Sequence, residues 1–370
     1  MGNFTRAGDK PKILVAPLDW GLGHATRCIP IIYELIKFSC EVIIAAEGDQ
    51  ERLLKDEFPG LRFVRLEGYR IRYASGRRSN KLVIAMQIPK IIMKIRSEKK
   101  WLDKLIASEK PDAIISDNRY GLYTKQIPSI FITHQIHIRS GLGKFIDGLI
   151  EQINHGFIRK FSACWIPDNA DRGSLAGALS NPSSIRGVET LMLGPITRFK
   201  PCNNKTEGFV LVILTGPEPQ RSILEERLME LAKFMNETII MVRGLPREKK
   251  LAPTPPNVRA YNHATSDELN RLICGAEWVI SRSGYTTIMD LMLLGKKSVL
   301  IPTPGQAEQE WLAGWLFQNQ WAFTIRQEEL SAAKLVEART FDFKAFEASQ
   351  NQGLQHALCS LISVLKQNQE

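Results

Sequence analysis

His24 ends the loop Leu18-Asp19-Trp20-Gly21-Leu22-Gly23-His24, which follows the apolar run from Lys12 to Pro17. An imidazole titrates near neutrality and can accept a proton from a hydroxyl as that oxygen attacks carbon. Asp19 in the same loop is a second candidate base, and Asp117, which closes the apolar run Ala113 to Ser116, is a third. Gly21 and Gly23 allow a tight turn with backbone close to a ligand. Gly-Leu-Gly-His is nonetheless not the dinucleotide fingerprint G-x-G-x-x-G. The plainer alternative is a glycine turn without a ligand, with His24 bonding backbone at a helix start.

A second set of chemistry-bearing residues lies in 281–313. Ser283-Gly284 turns the chain after the apolar run Trp278 to Ile280, and Thr286 to Leu294 carries apolar residues at helical spacing. Arg282, Ser283 and Gly284 therefore sit at a strand end, and the helix after them can offer free N–H groups to a phosphate. Asp290, one turn into that helix, can accept from a sugar hydroxyl. Gln309 and Glu310 follow the next strand end, Pro302-Thr303-Pro304. Gly216 opens another turn, Gly216-Pro217-Glu218-Pro219, whose prolines remove N–H donors. Arg221 or Arg243 is then a candidate to supply positive charge. The bland reading of 281–313 is an ordinary βαβ unit.

Such sites need elements that bring strand ends together. Apolar strands near 12–17, 41–46, 61–66, 113–116, 129–133 and 163–166 alternate with helical stretches at 25–38, 51–58, 81–105 and 144–162. The third helix is interrupted or restarted at Pro89. After a polar linker at 198–208 the pattern begins again, with strands near 209–214, 238–242, 259–261, 278–280, 299–301 and 321–325. Helices are expected at 220–235, 266–274, 306–318, 328–337 and 343–367, and Thr265 with Glu268 has the spacing of a capping box. The alternation predicts an α/β fold with parallel, doubly wound sheets. A length of 370 residues exceeds one typical core, and the expected division is 1–197, 198–345 and a closing segment 346–370.

The 281–313 segment resembles the donor-binding signature of nucleotide-sugar glycosyltransferases with two facing Rossmann-like domains, the GT-B fold. Within them it is most similar to the group of the lipid II UDP-N-acetylglucosamine transferase and the diacylglycerol galactosyltransferases. Arg282, Ser283 and Gly284 stand on that group's arginine–small–glycine turn, Asp290 on its ribose-binding glutamate, and Gln309 and Glu310 on its glutamine pair. Glu310 for glutamine exchanges a donor/acceptor for an acceptor, which leaves the donor sugar open. The resemblance implies a UDP-sugar donor in the second domain, with Gly23, Gly216 and Arg243 near it, and an acceptor in the first. It implies an inverting transfer with His24, Asp19 or Asp117 as base, and a closing helix that returns across the first domain. The rival readings are a non-hydrolysing nucleotide-sugar epimerase and a non-catalytic nucleotide-sugar-binding module.

Composition narrows the setting. An apolar fraction of 44% with 24% charged residues is that of a folded globular protein. No run of 18 apolar residues and no signal peptide is evident, so a cytoplasmic protein is expected. Residues 62–110 hold 14 Lys/Arg against four acids, the size of the whole chain's net charge of +10. Basic residues alternate there with Ile, Met, Trp and Leu, as in an interfacial helix, so attachment to an anionic membrane and a lipid-linked acceptor are expected. Nucleic acid is not expected, because no recognition module accompanies the charge. Six cysteines without paired spacing read as reduced thiols. No metal and no cofactor are expected: the six histidines form no HExxH, and His134 and His137 read as opposite sides of a loop.

Overall fold

The computed structural model describes residues 10–71, 86–141, 143–170, 173–182, 184–202, 206–251, 253–347 and 352–367. Its first sheet contains β1 (Lys12–Pro17), β2 (Glu41–Ala46), β3 (Arg62–Arg65), β4 (Ala113–Asp117), β5 (Ser129–Ile132), β6 (Ala163–Ile166) and β7 (Glu189–Met192). The order is β3-β2-β1-β4-β5-β6-β7, all parallel. Helices α1 (Leu22–Lys37), α2 (Gly48–Glu57), α3 (Ile88–Glu109) and α4 (Lys144–Ile158) accompany it. Ile13, Leu14, Val15 and Ala16 are all fully buried, as expected where both faces of a parallel sheet are covered.

The second sheet contains β8 (Phe209–Ile213), β9 (Ile239–Val242), β10 (Val258–Tyr261), β11 (Ala276–Ser281), β12 (Ser298–Leu300) and β13 (Phe323–Thr324). It runs β10-β9-β8-β11-β12-β13, again all parallel. With it go α5 (Gln220–Ala232), α6 (Ser266–Gly275), α7 (Tyr285–Leu293), α8 (Ala307–Gln318) and α9 (Ala332–Arg339). Strand order reverses between β1 and β4, and again between β8 and β11. Those are the switch points where an open α/β sheet leaves a crevice at its carboxyl edge. The fold is thus two Rossmann-like units facing across a cleft, the GT-B arrangement.

Several expectations shift. α1 begins at Leu22, not 25, because Gly21 takes a φ of 85° and starts the helix early; Gly23 and His24 therefore lie in its first turn. The restart at Pro89 is real, since Pro89 sits in the first turn of α3, where its missing N–H is harmless. The expected helical residues 81–85 lie outside the described residues. The long closing helix is shorter than its periodicity suggests: 341–347 are not helical, and α10 (Gly353–Gln367) is the helix. Its buried Leu358, Leu361 and Ile362 join the apolar cluster of Ile31, Ile32 and Leu35 on α1, and Gln355 Nε2 donates to Glu34 at 3.4 Å. Thr265 and Glu268 do form a capping box on α6. Cys202 and Cys274 are not free thiols but a disulfide, with Cα atoms 5.2 Å apart. A separation of 72 residues left no spacing signal for that pair.

Candidate active site

The carboxyl ends of β1, β4 and β5, adjacent in the first sheet, carry the loop to Gly21, Asp117 and His134. Pro17 pairs with Asp117 in register, so the glycine loop and this carboxylate emerge side by side. Asp117 is fully buried. Its Oδ2 lies 3.1 Å from His24 Nδ1 and accepts from Arg27 Nε at 3.2 Å, while Arg27 Nη2 donates to Oδ1. Burial pushes the Asp117 carboxyl up, but Arg27 and His24 outweigh it and hold it below its ordinary value. The result is a buried carboxylate that orients an imidazole; Nδ1 of His24 faces both Asp117 and, at 3.0 Å, Arg27 Nη2, and Nε2 has no hydrogen bond among the described residues.

Across the cleft, His134 Nε2 lies 2.7 Å from Glu308 Oε1 at the start of α8. Arg27 Nη1 reaches His134 Nδ1 at 3.3 Å. Burial lowers the His134 pKa despite the neighbouring carboxylate, whereas Glu308 is held low by His134, His24 and Arg27 against its own burial. A neutral imidazole that donates to an ionised Glu308 and accepts from Arg27 satisfies all three groups. Tyr285 stacks on His134 with ring centres 3.9 Å apart and donates to Pro167 O at 2.9 Å. Trp311 and Trp315 Nε1 donate to the carbonyls of Ala176 and Ser174. The two units are therefore stitched together beside the cavity.

Thr286 Oγ1 donates to Gly23 O at 3.0 Å, which sets the N-termini of α1 and α7 against each other. Both lie on one cavity of about 190 Å³, lined also by His24, Arg198, Gly216, His263, Gly284 and Asp290. A methyl group added at Gly284 would meet nothing within 4 Å, so open space lies directly before the α7 N-terminus. Two helix starts and the extended Thr215-Gly216-Pro217 turn, Gly216 at φ 100°, make an anion-favouring wall. Asp290 is buried; its Oδ1 accepts from Thr197 Oγ1 at 2.5 Å. Burial raises its pKa to about 6, with Arg198 and Thr197 opposing. A second cavity of about 740 Å³ adjoins the first through Gly21, Thr215 and Gly216 and carries Asp19, Arg65, Arg70 and Arg247.

Residues 12–339 match glycosyl transferase family 1. The chain belongs to this family. A curated relative from Clostridium perfringens is a UDP-N-acetylglucosamine--N-acetylmuramyl-(pentapeptide) pyrophosphoryl-undecaprenol N-acetylglucosamine transferase. It is 28% identical over 246 residues, 64% of this chain and 66% of the relative. The Clostridium tetani protein of the same name is 24% identical over 330 residues, 84% of each chain. Among solved structures, MurG from Acinetobacter baumannii superimposes with a TM-score of 0.57 at 16% identity, covering 96% of this chain and 100% of that one. The forosaminyltransferase SpnP gives a TM-score of 0.60 at 14% identity, with coverage of 96% and 100%. The chain is thus a GT-B glycosyltransferase related to the MurG group.

In this glycosyltransferase the residues singled out by sequence divide into three sets. Gly23, His24, Gly216, Gly284, Asp290 and Gln309 line the cavity of about 190 Å³, and Asp117 lies beside it, against His24. Asp19 lines the adjoining cavity, with its carboxylate accepting from the Tyr69 and Arg70 amides. Arg282, Ser283, Arg243 and Glu310 are turned to other partners. Arg282 is 1% exposed and donates to the Gln220, Ile301 and Pro302 carbonyls and to Gln327 Oε1. Ser283 Oγ donates to Gln309 O at 2.9 Å. Arg243 and Arg221 share Glu225, and Glu310 accepts from Gly305 N at 2.9 Å. Sequence reasoning missed Arg27, Glu308 and the role of His134. Arg27 stands three residues after His24, one helical turn on, and that spacing was the available signal.

Proposed function

We propose that the protein transfers a sugar from a UDP-sugar to an acceptor hydroxyl with inversion at the anomeric carbon. The observation that carries this reading is the convergence of a His24–Asp117 pair and two helix N-termini on one cavity. In the tautomer whose Nδ1–H donates to Asp117, which leaves Arg27 Nη2 to the carboxylate alone, Nε2 is the acceptor atom toward the cleft. The acceptor oxygen attacks C1 as its proton passes to Nε2. The bond from C1 to the diphosphate oxygen breaks, and that oxygen keeps the electron pair. The departing diphosphate gains charge before the first turns of α7 and α1, where fixed N–H groups stabilise it. Asp290 accepts from a ribose hydroxyl through the oxygen not taken by Thr197. The relatives named for a UDP-N-acetylglucosamine donor support a uridine nucleotide.

The acceptor reading follows from two outer helices of the first unit. No helix among the described residues is long and apolar enough to cross a membrane. Yet Phe145 on α4 is 87% exposed and Leu149 and Ile153 also project into solvent, as do Ile88, Ile92 and Met93 on α3. Ile91 of α3 and Phe157 of α4 pack on one cluster, so the two helices are neighbours. An apolar ridge flanked by Lys90, Lys99 and Lys100 suits an anionic leaflet, and an acceptor carried on a lipid would then meet the cleft at the surface. The test is to incubate the protein with a panel of UDP-sugars with and without lipid extract, measuring UDP release and the product's anomeric configuration. Transfer with retained configuration, or interconversion of free UDP-sugars without transfer, overturns the reading.

A further inference from the structure

On the far side of His134 the chain brings together three metal-type ligands that the transfer reaction does not use. His137 follows β5 by five residues, and Glu151 and His155 lie one turn apart on α4. One donor atom from each lies within 4.8 Å of the other two. His137 Nδ1 is 3.1 Å from Glu151 Oε2, and the two imidazole rings are 6.2 Å apart at 68°. The pair Glu151 and His155, spaced i and i+4, shares a helix face by periodicity.

The outer hydrogen bonds decide what these rings can do. His137 Nε2 lies 3.0 Å from Pro182 O, and His155 Nε2 lies 3.1 Å from Ile136 O. A carbonyl oxygen only accepts, so each Nε2 carries the proton, and in the neutral rings each Nδ1 carries the lone pair. Histidines that ligate metals are held in this way, with the second nitrogen donating to a carbonyl. In the neutral ring the His137 lone pair faces Glu151 Oε2, which also accepts from Ile138 N at 3.3 Å; a proton on Nδ1 or a metal ion bound by both atoms satisfies that contact. Ligand atoms on the edge of a tetrahedral zinc site lie roughly 3.3 Å apart, from bond lengths of about 2.0–2.1 Å. The Glu151–His137 edge is already close to that value, and small rotations on α4 bring in His155. Of the two cations beside this pocket, Arg139 is turned onto the Trp311 ring at 5.3 Å and Lys144 shares the wall with Asp147, whose Oδ1 accepts from Ser140 N.

We propose that His137, Glu151 and His155 form a divalent transition-metal site of zinc type with a fourth position open to solvent. A metal there ties α4 to the segment 134–137, which also carries His134 of the cleft, and so fixes that segment from outside. The test uses the full-length protein, stripped with chelator and dialysed, then titrated with Co²⁺ and separately with Zn²⁺. One equivalent of Co²⁺ should give the visible bands of a four-coordinate N/O site, Zn²⁺ should displace it, and the melting temperature should rise on loading. His155→Gln and Glu151→Gln, each checked for an unchanged metal-free melting temperature, should weaken binding at least about tenfold. His263→Gln, remote from the cluster, should bind like the parent. Absence of stoichiometric binding, or binding that is equal in the parent and both cluster variants, overturns the site. Should both cluster variants unfold, His137→Asn read by the same Co²⁺ bands serves in their place.

Discussion

Oδ2 of Asp117 lies 3.1 Å from Nδ1 of His24, and Arg27 donates to both oxygens of the same carboxylate. The group is therefore structural as well as orienting. Asp117→Ala leaves Arg27 buried and unpaired, and should lower folding stability by about 3–5 kcal/mol. Asp117→Asn should retain more of it. Because the folded pKa of Asp117 is depressed, its contribution is present above the unfolded value near 3.9 and is lost as pH falls through the folded one. The stability gap between parent and Asp117→Asn should shrink on acidification below about pH 4. Denaturant melts across that range decide; a gap that widens in acid contradicts the assignment.

Asp290 behaves in the opposite sense. Its carboxyl is raised to about 6 by burial, against the pull of Arg198 and Thr197. An unfolded value near 3.9 means the native state holds this proton more tightly. Its ionisation therefore destabilises the fold progressively as pH rises from about 4 to 6, by on the order of 2–3 kcal/mol, and the effect is constant above that. Asp290→Asn should remove this slope. UDP affinity in the parent should rise from pH 5 to 7, as the ribose-binding carboxylate forms, and stay flat in the variant. Calorimetry at several pH values checks both, and a parallel pH dependence in the variant would rule Asp290 out as the cause.

Arg282 should report on folding before binding. Burial lowers its pKa to about 10, and its guanidinium joins β11, β12 and α5 through backbone carbonyls. Arg282→Lys cannot reproduce that fork and should lose on the order of 2–4 kcal/mol. UDP affinity measured below the variant's melting transition should be nearly that of the parent. Loss of UDP binding with unchanged stability would assign the guanidinium to the donor instead.

These contrasts mark what sequence can carry. The glycine turn at Gly284, the helix after it and Asp290 within it are local, so spacing exposes them; likewise the loop to His24. The parallel sheets follow from apolar runs alternating with helical stretches. By contrast the His134–Glu308 contact joins residues 174 apart, and nothing local in either marks it. Arg282 matches a motif position, yet its side chain direction depends on how β11 meets α5. The closing helix begins after the expected 343 because Phe343 packs with Phe341 on the second unit's core and Phe346 packs on Trp321, contacts that a continuous helix pattern does not announce.

Vesicle flotation separates the apolar ridge from the basic charge. Lys94 is paired with Glu67 and Lys99 with Asp103, so reversing Lys94, Lys99 and Lys100 disrupts ion pairs as well as lipid contacts. Phe145→Ser with Leu149→Ser should abolish flotation with anionic vesicles while leaving UDP affinity unchanged. The charge-reversed protein should float less, each Lys near the leaflet contributing about 1 kcal/mol. Unchanged flotation in the Phe145 and Leu149 double variant would place any membrane contact elsewhere.

The most direct measurement compares parent and His24→Ala at saturating UDP-sugar and acceptor, with UDP binding measured on both. The account predicts UDP affinity nearly unchanged in His24→Ala and turnover reduced about 10²–10⁴-fold, the range for loss of a general base. Full turnover in His24→Ala, or a loss of UDP binding equal to that of Asp290→Ala, would contradict it.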